Sequence, residues 1–209
     1  MSVTNDFAEH EKTFFQDPAV EPQQPQSGKP VTHGVLYLLR RDIKKCIEAG
    51  AVFPTAMAIL AGIDLLAKFY KGSDNYRSGV HQRFEGFVKE YFQPLDKDEP
   101  ERLWQLRNAM MHSFGLYSEQ KAGGRVKAKY RFAIDPGESG RPDKGQIVED
   151  YGDDNYYVGI ATLKKRFEQA VHGYHGALKE GKDKLQEHFE KMWDKYGCTT
   201  DTLDFPWSK

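Results

Sequence analysis

Cysteine is scarce in this chain: Cys46 and Cys198 are the only two, and they are far apart. With no C-x-x-C spacing, neither a disulfide framework nor a zinc finger is indicated. Charge of one sign is also lacking. Thirty Lys and Arg stand against 31 Asp and Glu, a formal charge of -1, so a globally basic nucleic-acid binder is not expected, although a local patch can still serve. Met1 to Gln26 is polar and acidic without an apolar stretch, unlike a secretory signal. The most apolar segment, Ala51 to Ala67, is interrupted by Pro54 and Asp64 and is short for a membrane span. A soluble, cytoplasmic protein without membrane contact is the expectation. What the chain does have is apolar mass: 39% hydrophobic residues, with 13 Phe, 11 Tyr and 3 Trp, enough for one compact core.

Residues 1 to 30 hold Pro18, Pro22, Pro25 and Pro30 among Gln, Glu and Ser, and read as a mobile N-terminal arm in which a local helix near Phe14 and Phe15 has room to form. A helix is expected over Val31 to Ala49, where Leu36, Leu39, Ile43 and Ile47 recur at helical steps and Gly50 supplies a stop. A second is expected from Pro54 to Tyr70 and a third from Gly79 to Phe92, separated by the loop-like Lys71 to Ser78. In the fourth, Asp98 and Glu101 have capping-box spacing, Pro100 suits the first turn, and Leu103, Leu106 and Met110 with Trp104 and Met111 make an apolar stripe that Gly115 ends.

The period then changes to two. From Arg125 to Ile134, Val126, Ala128, Tyr130, Phe132 and Ile134 alternate with cations, the pattern of a half-buried strand. Short strands at Gln146 to Val148 and Tyr156 to Ile160 complete an expected small antiparallel sheet, and a helical region from Thr162 to Tyr196, broken at Gly181, closes the domain. The expected organisation is an arm (1–30), one mainly α domain (31–200) with a β insertion at about 124–160, and a C-terminal tail (201–209).

The fourth helix carries the candidate chemistry. Arg107 lies four residues after Leu103 and four before Met111, within or beside the apolar stripe, so its guanidinium needs an anion, a polar cleft or an interface. Asn108 and His112 are four apart and share a face. His112 is about 140° around the helix from Arg107, so the two need not touch, but both can line one groove. The string Arg107-Asn108-(three residues)-His112, followed by Ser113-Phe114-Gly115-Leu116-Tyr117, resembles the Arg-x4-6-His motif of the HEPN superfamily, with its common polar residue after the arginine. The likeness covers about residues 31–120 and, less fully, the C-terminal helices.

The resemblance implies a HEPN-like helical bundle, and the small antiparallel β insertion after the motif helix, read from the alternating pattern, is an elaboration that does not map onto the family. It also implies a homodimer in which two motifs meet in one cleft, and an RNA-acting function without metal or other cofactor. In such an endoribonuclease His112 would move a proton at the ribose 2′-hydroxyl or the leaving oxygen, Arg107 would hold the scissile phosphate, and Asn108 would orient the histidine or substrate. The setting would be stress, phage defence or a toxin-antitoxin pair with an antitoxin-type protein partner. The alternative within the resemblance is a non-catalytic nucleotide-binding or protein-interaction scaffold. In partner-modified toxins of the family a tyrosine often stands two residues after the histidine. Here that residue is Phe114, and Tyr117 is out of register.

Each feature also has a plainer explanation. Arg107 can simply pair with a carboxylate such as Asp64, and His112 can cap helix-end carbonyls. Lys121, Arg125, Lys127, Lys129 and Arg131 place five cations in eleven residues with no acid among them, a candidate RNA-backbone stripe. The same stripe fits a solvated sheet face or a charge-protected edge, with Glu149, Asp150, Asp153 and Asp154 available to cancel it. Those carboxylates lack a calcium-loop pattern. His172 and His175 sit three apart without a third recognisable ligand and read as structural.

Overall fold

A computed structural model describes residues 3–20, 31–135 and 145–201. It is mainly helical. Helices α1 (Val3–Phe14), α2 (Val35–Glu48), α3 (Val52–Lys71), α4 (Val80–Tyr91), α5 (Glu99–Ser113), α6 (Ile160–Lys179) and α7 (Leu185–Tyr196) surround one core. Six short strands complete the described chain: β1 (Val31–Gly34), β2 (Tyr117–Ala122), β3 (Arg125–Asp135), β4 (Val148–Asp150), β5 (Asn155–Gly159) and β6 (Cys198–Asp201).

The helix α3 is the hub. It is long and apolar enough to cross a membrane, but it packs against α2, α4, α5, α6 and α7, burying Ile59, Leu60, Ile63, Leu66 and Phe69. Pro54 sits in its first turn and so leaves the hydrogen-bond ladder intact. Asp64 is the one acidic residue on α3, and it faces α5.

The N-terminal segment corrects the expectation of a mobile arm over residues 3–20. Phe14 is fully buried and packs on Phe69, Phe189 and Trp193, with ring centroids 4.5, 5.5 and 6.3 Å away. A Cβ on Gly34 would overlap the Thr13 carbonyl, so the close seat of α1 on β1 requires glycine. Arg40, buried, ties the end of α1 to the bundle by donating to Glu168 at 2.6 Å and to the Gln16 carbonyl at 3.4 Å. The remainder of the expected arm, 21–30, lies outside the described residues.

The expected helix from Val31 starts four residues late. Val31–Gly34 instead pairs antiparallel with β6, Val31 opposite Asp201 and Gly34 opposite Cys198, so the first residue of the expected tail belongs to a strand. Residues 202–209 lie outside the described residues.

The second sheet has the order β2-β3-β5-β4 and is mixed rather than antiparallel. Strands β2 and β3 form a hairpin through Gly123-Gly124, both at positive φ, and β4 pairs antiparallel with β5. Strands β3 and β5 run parallel, with Arg131 opposite Asn155 and Ile134 opposite Val158. Strand β2 had no expectation because its sequence, Tyr-Ser-Glu-Gln-Lys-Ala, is polar on both faces. The alternation in β3 buries Tyr130 and Phe132, whereas Val126 stays 44% exposed where the hairpin runs past the core.

Glu99 binds this sheet to the helices. Its buried carboxylate accepts the backbone N–H groups of Ile147 and of Val148 (3.1 Å), and of Asp96 at 3.2 Å. The expected capping box is absent: Asp98 caps without a side-chain bond, and Glu101 turns to Gln105 and Gln120. The helix α5 ends through Phe114 in the left-handed region at φ 48°, one residue before the expected Gly115.

Candidate functional site

Helices α3, α4 and α5, the loop after α3 and the end of α7 enclose a cleft of about 580 Å³. Asp64, Lys68, Arg83, Arg107, Asn108 and His112 are among its walls, with Asp74, Tyr76, Trp104 and Tyr196. All three residues of the helix-α5 motif therefore meet one open space.

Arg107 is held from three sides. Its Nε and Nη2 both reach Asp64 Oδ2 at 2.7 Å, and its Nη1 donates to Asn108 Oδ1 at 3.2 Å. The same Nη1 stands 2.7 Å from His112 Nε2, and the guanidinium lies 5.1 Å from the Trp104 ring centroid. The separation around the helix made this contact unnecessary, but α-helical side chains lean toward the N-terminus. The exposed His112 ring leans back over the last turn, and the long arginine side chain spans the remainder.

The Arg107–His112 contact favours one tautomer of the ring. A guanidinium has donors only, so His112 Nε2 accepts and the ring proton belongs on Nδ1. The plainer expectation for Arg107, a pair with Asp64, is met in this arrangement. His112 bonds Arg107 rather than the helix-end carbonyls; the C-cap N–H bond at Phe114 runs to the Ala109 carbonyl.

Further in, the cleft is positive. Burial holds the Lys68 ammonium below the usual lysine range, and Arg83 and Arg107 push the same way against Asp64 and Asp74. The Lys68 Nζ lies 4.3 Å above the Tyr196 ring, and among the described residues it has no carboxylate at ion-pair distance. Asp74 is already engaged by Lys195 at 3.0 Å and by the Tyr196 hydroxyl at 3.1 Å, which lower its carboxyl below the usual range. Arg83, almost wholly buried, gives one donor to the Asn75 carbonyl at 3.2 Å. Tyr76 stands at the rim, 77% exposed. Sequence reasoning found Arg107, Asn108 and His112 but not Lys68, Arg83 or Tyr76, whose periodic positions in α3 and α4 and loop setting carry no local signal.

The basic stripe is separate from the cleft lining. Arg125, Lys127, Lys129 and Arg131 share the solvent side of β3, and all are exposed. Part of their field is cancelled from within the hairpin. Glu119 is opposite Lys129 and pairs with Lys121 at 3.3 Å. The Tyr117 hydroxyl and Lys121 hold the Glu119 carboxyl below its usual range. Arg131 donates to the Asp153 carbonyl at 3.4 Å, whereas Asp150 pairs with Arg102 at 3.1 Å and so does not neutralise the stripe. Arg125 and Lys127 have no ion pair among the described residues.

His175 binds Glu11 and stacks on Phe15 at 4.2 Å, fastening α1, while His172 faces solvent. This is the structural role expected of the pair for His175. No family model, curated protein or solved structure matches the chain.

Proposed function

We propose that the protein is an RNA-acting member of the HEPN superfamily, a metal-independent endoribonuclease that works in the cytoplasm as a homodimer. The observation that carries this reading is the Arg107–Asn108–His112 contact set on an open, cationic cleft.

A phosphodiester entering the cleft would compete for Arg107 Nη1 and release His112 Nε2 as a base. His112 would take the proton of the ribose 2′-hydroxyl, the 2′ oxygen would attack phosphorus, and the bond to the 5′ oxygen would break. His112 of the second copy would return a proton to that leaving oxygen. Arg107 and Lys68 would hold the non-bridging oxygens as charge accumulates, and Tyr76 offers a ring for base stacking. The products would be a 2′,3′-cyclic phosphate and a 5′-hydroxyl. The exposed stripe on β3 would track the backbone of a longer RNA without reading sequence. A stress, defence or toxin-antitoxin setting with an antitoxin-type partner fits such an activity.

A second reading is supported by the Asp64 pair. Two of the three guanidinium nitrogens are already bound to a carboxylate, as in a nucleotide-binding or interaction scaffold that performs no cleavage. Purified protein incubated with end-labelled RNA in EDTA separates the two. The nuclease reading expects fragments ending in cyclic phosphate, and the scaffold reading expects intact RNA. Sedimentation tests the dimer independently.

A further inference from the structure

We propose that His81, Glu85 and Glu101 form a binding site for a zinc-class divalent cation on α4 and α5. His81 and Glu85 are one turn apart on α4, and Glu101 comes from the first turn of α5. His81 Nε2 lies 3.0 Å from Glu101 Oε2 and 3.5 Å from Glu85 Oε1, and the three ligand atoms fall within 4.8 Å of one another. Tetrahedral ligands at bond lengths of about 2.0–2.1 Å stand about 3.3–3.4 Å apart, so both histidine–carboxylate separations bracket the required edge.

A second observation points the same way. His81 Nε2 is shielded from solvent and makes no hydrogen bond, although both carboxylate oxygens lie within ion-pair distance. The oxygens therefore flank the nitrogen's axis instead of standing on it, as co-ligands of an ion on that axis would. The outer oxygens are fixed. Glu101 Oε1 accepts from Gln105 at 2.8 Å and from Gln120 at 3.2 Å, and Glu85 Oε2 accepts from Lys89 at 2.8 Å. The imidazole stacks on Trp104 at 4.8 Å with an interplanar angle of 17°, which sets its ring plane. Such outer contacts orient ligands before an ion arrives.

One nitrogen and two carboxylate oxygens leave a fourth position for water, and the ligand set suits zinc or cobalt better than a soft, thiolate-seeking ion. An ion there would fasten α4 to α5 and, through Gln120, to β2. The cation is given no part in RNA cleavage, so cleavage in EDTA and metal uptake succeed or fail independently.

The test uses the full chain, stripped with chelator and titrated with Co²⁺. Wild type is expected to bind one equivalent with visible bands of a low-coordinate site, and Zn²⁺ should displace them. His81→Gln and Glu85→Gln should each weaken uptake at least about 100-fold while the metal-free variants melt near wild type. If His81→Gln does not fold, Glu85→Gln decides. No stoichiometric uptake by wild type, or equal uptake by a folded variant, would overturn the site.

Discussion

Arg107 Nη1 lies 2.7 Å from His112 Nε2, while Arg107 Nε and Nη2 lie 2.7 Å from one oxygen of Asp64. A single guanidinium thus links the middle of α3 to the last turn of α5. Asp64 orients the arginine, and the arginine orients the histidine.

The partly buried pair should be strongly coupled. Asp64→Ala is expected to cost about 1–3 kcal/mol, below the full value for a deeply buried pair because both partners retain some solvent contact. Denaturant titrations of Asp64→Ala, Arg107→Ala and the double variant should show the double costing well under the sum. Strict additivity would mean that the pair does not hold the arginine.

Lys68 makes a prediction for pH. Its folded pKa is lowered from the ordinary 10.5, chiefly by burial, so the unfolded chain binds more protons in the interval between the two values. Its destabilisation is full below the folded pKa and is relieved as pH rises through that interval. Lys68→Met should therefore raise the melting temperature at pH 7, with a gain that shrinks toward pH 10. It should also weaken binding of a mononucleotide about tenfold, the loss expected of one charge-assisted contact. A pH-independent gain, or unchanged affinity, would count against this role.

The N-terminal helix is integral to the bundle. Phe14→Ala removes a fully buried ring between α3 and α7 and should destabilise by about 3–5 kcal/mol, measured by denaturant unfolding. A change below about 1 kcal/mol would return this segment to the status of a detachable arm.

The sequence carried the helices of the bundle because Leu36, Ile43, Leu103 and Leu106 follow the helical period and are buried. It misplaced what depends on distant partners. Phe14 and Phe15 sit among charged and polar residues, and their burial follows only from the groove formed by α3, α6 and α7. Strand β1 exists because β6, more than 160 residues later, supplies its hydrogen bonds. The parallel β3–β5 pairing has no periodic signature, and the Glu99 clamp on Ile147 and Val148 spans 48 and 49 residues. The motif residues were legible because they share one helix. The cluster of His81, Glu85 and Glu101 was not: His81 and Glu85 share α4 at an ordinary i,i+4 spacing, and Glu101 joins them only from α5.

The most direct measurement compares cleavage of labelled RNA in EDTA by wild type and by His112→Ala, whose exposed side chain is not part of the core. The account predicts cyclic-phosphate products from wild type and at least about 100-fold slower cleavage by the variant, the scale of one lost acid–base group. Cleavage at the same rate by both proteins, or by neither, would contradict a nuclease built on His112.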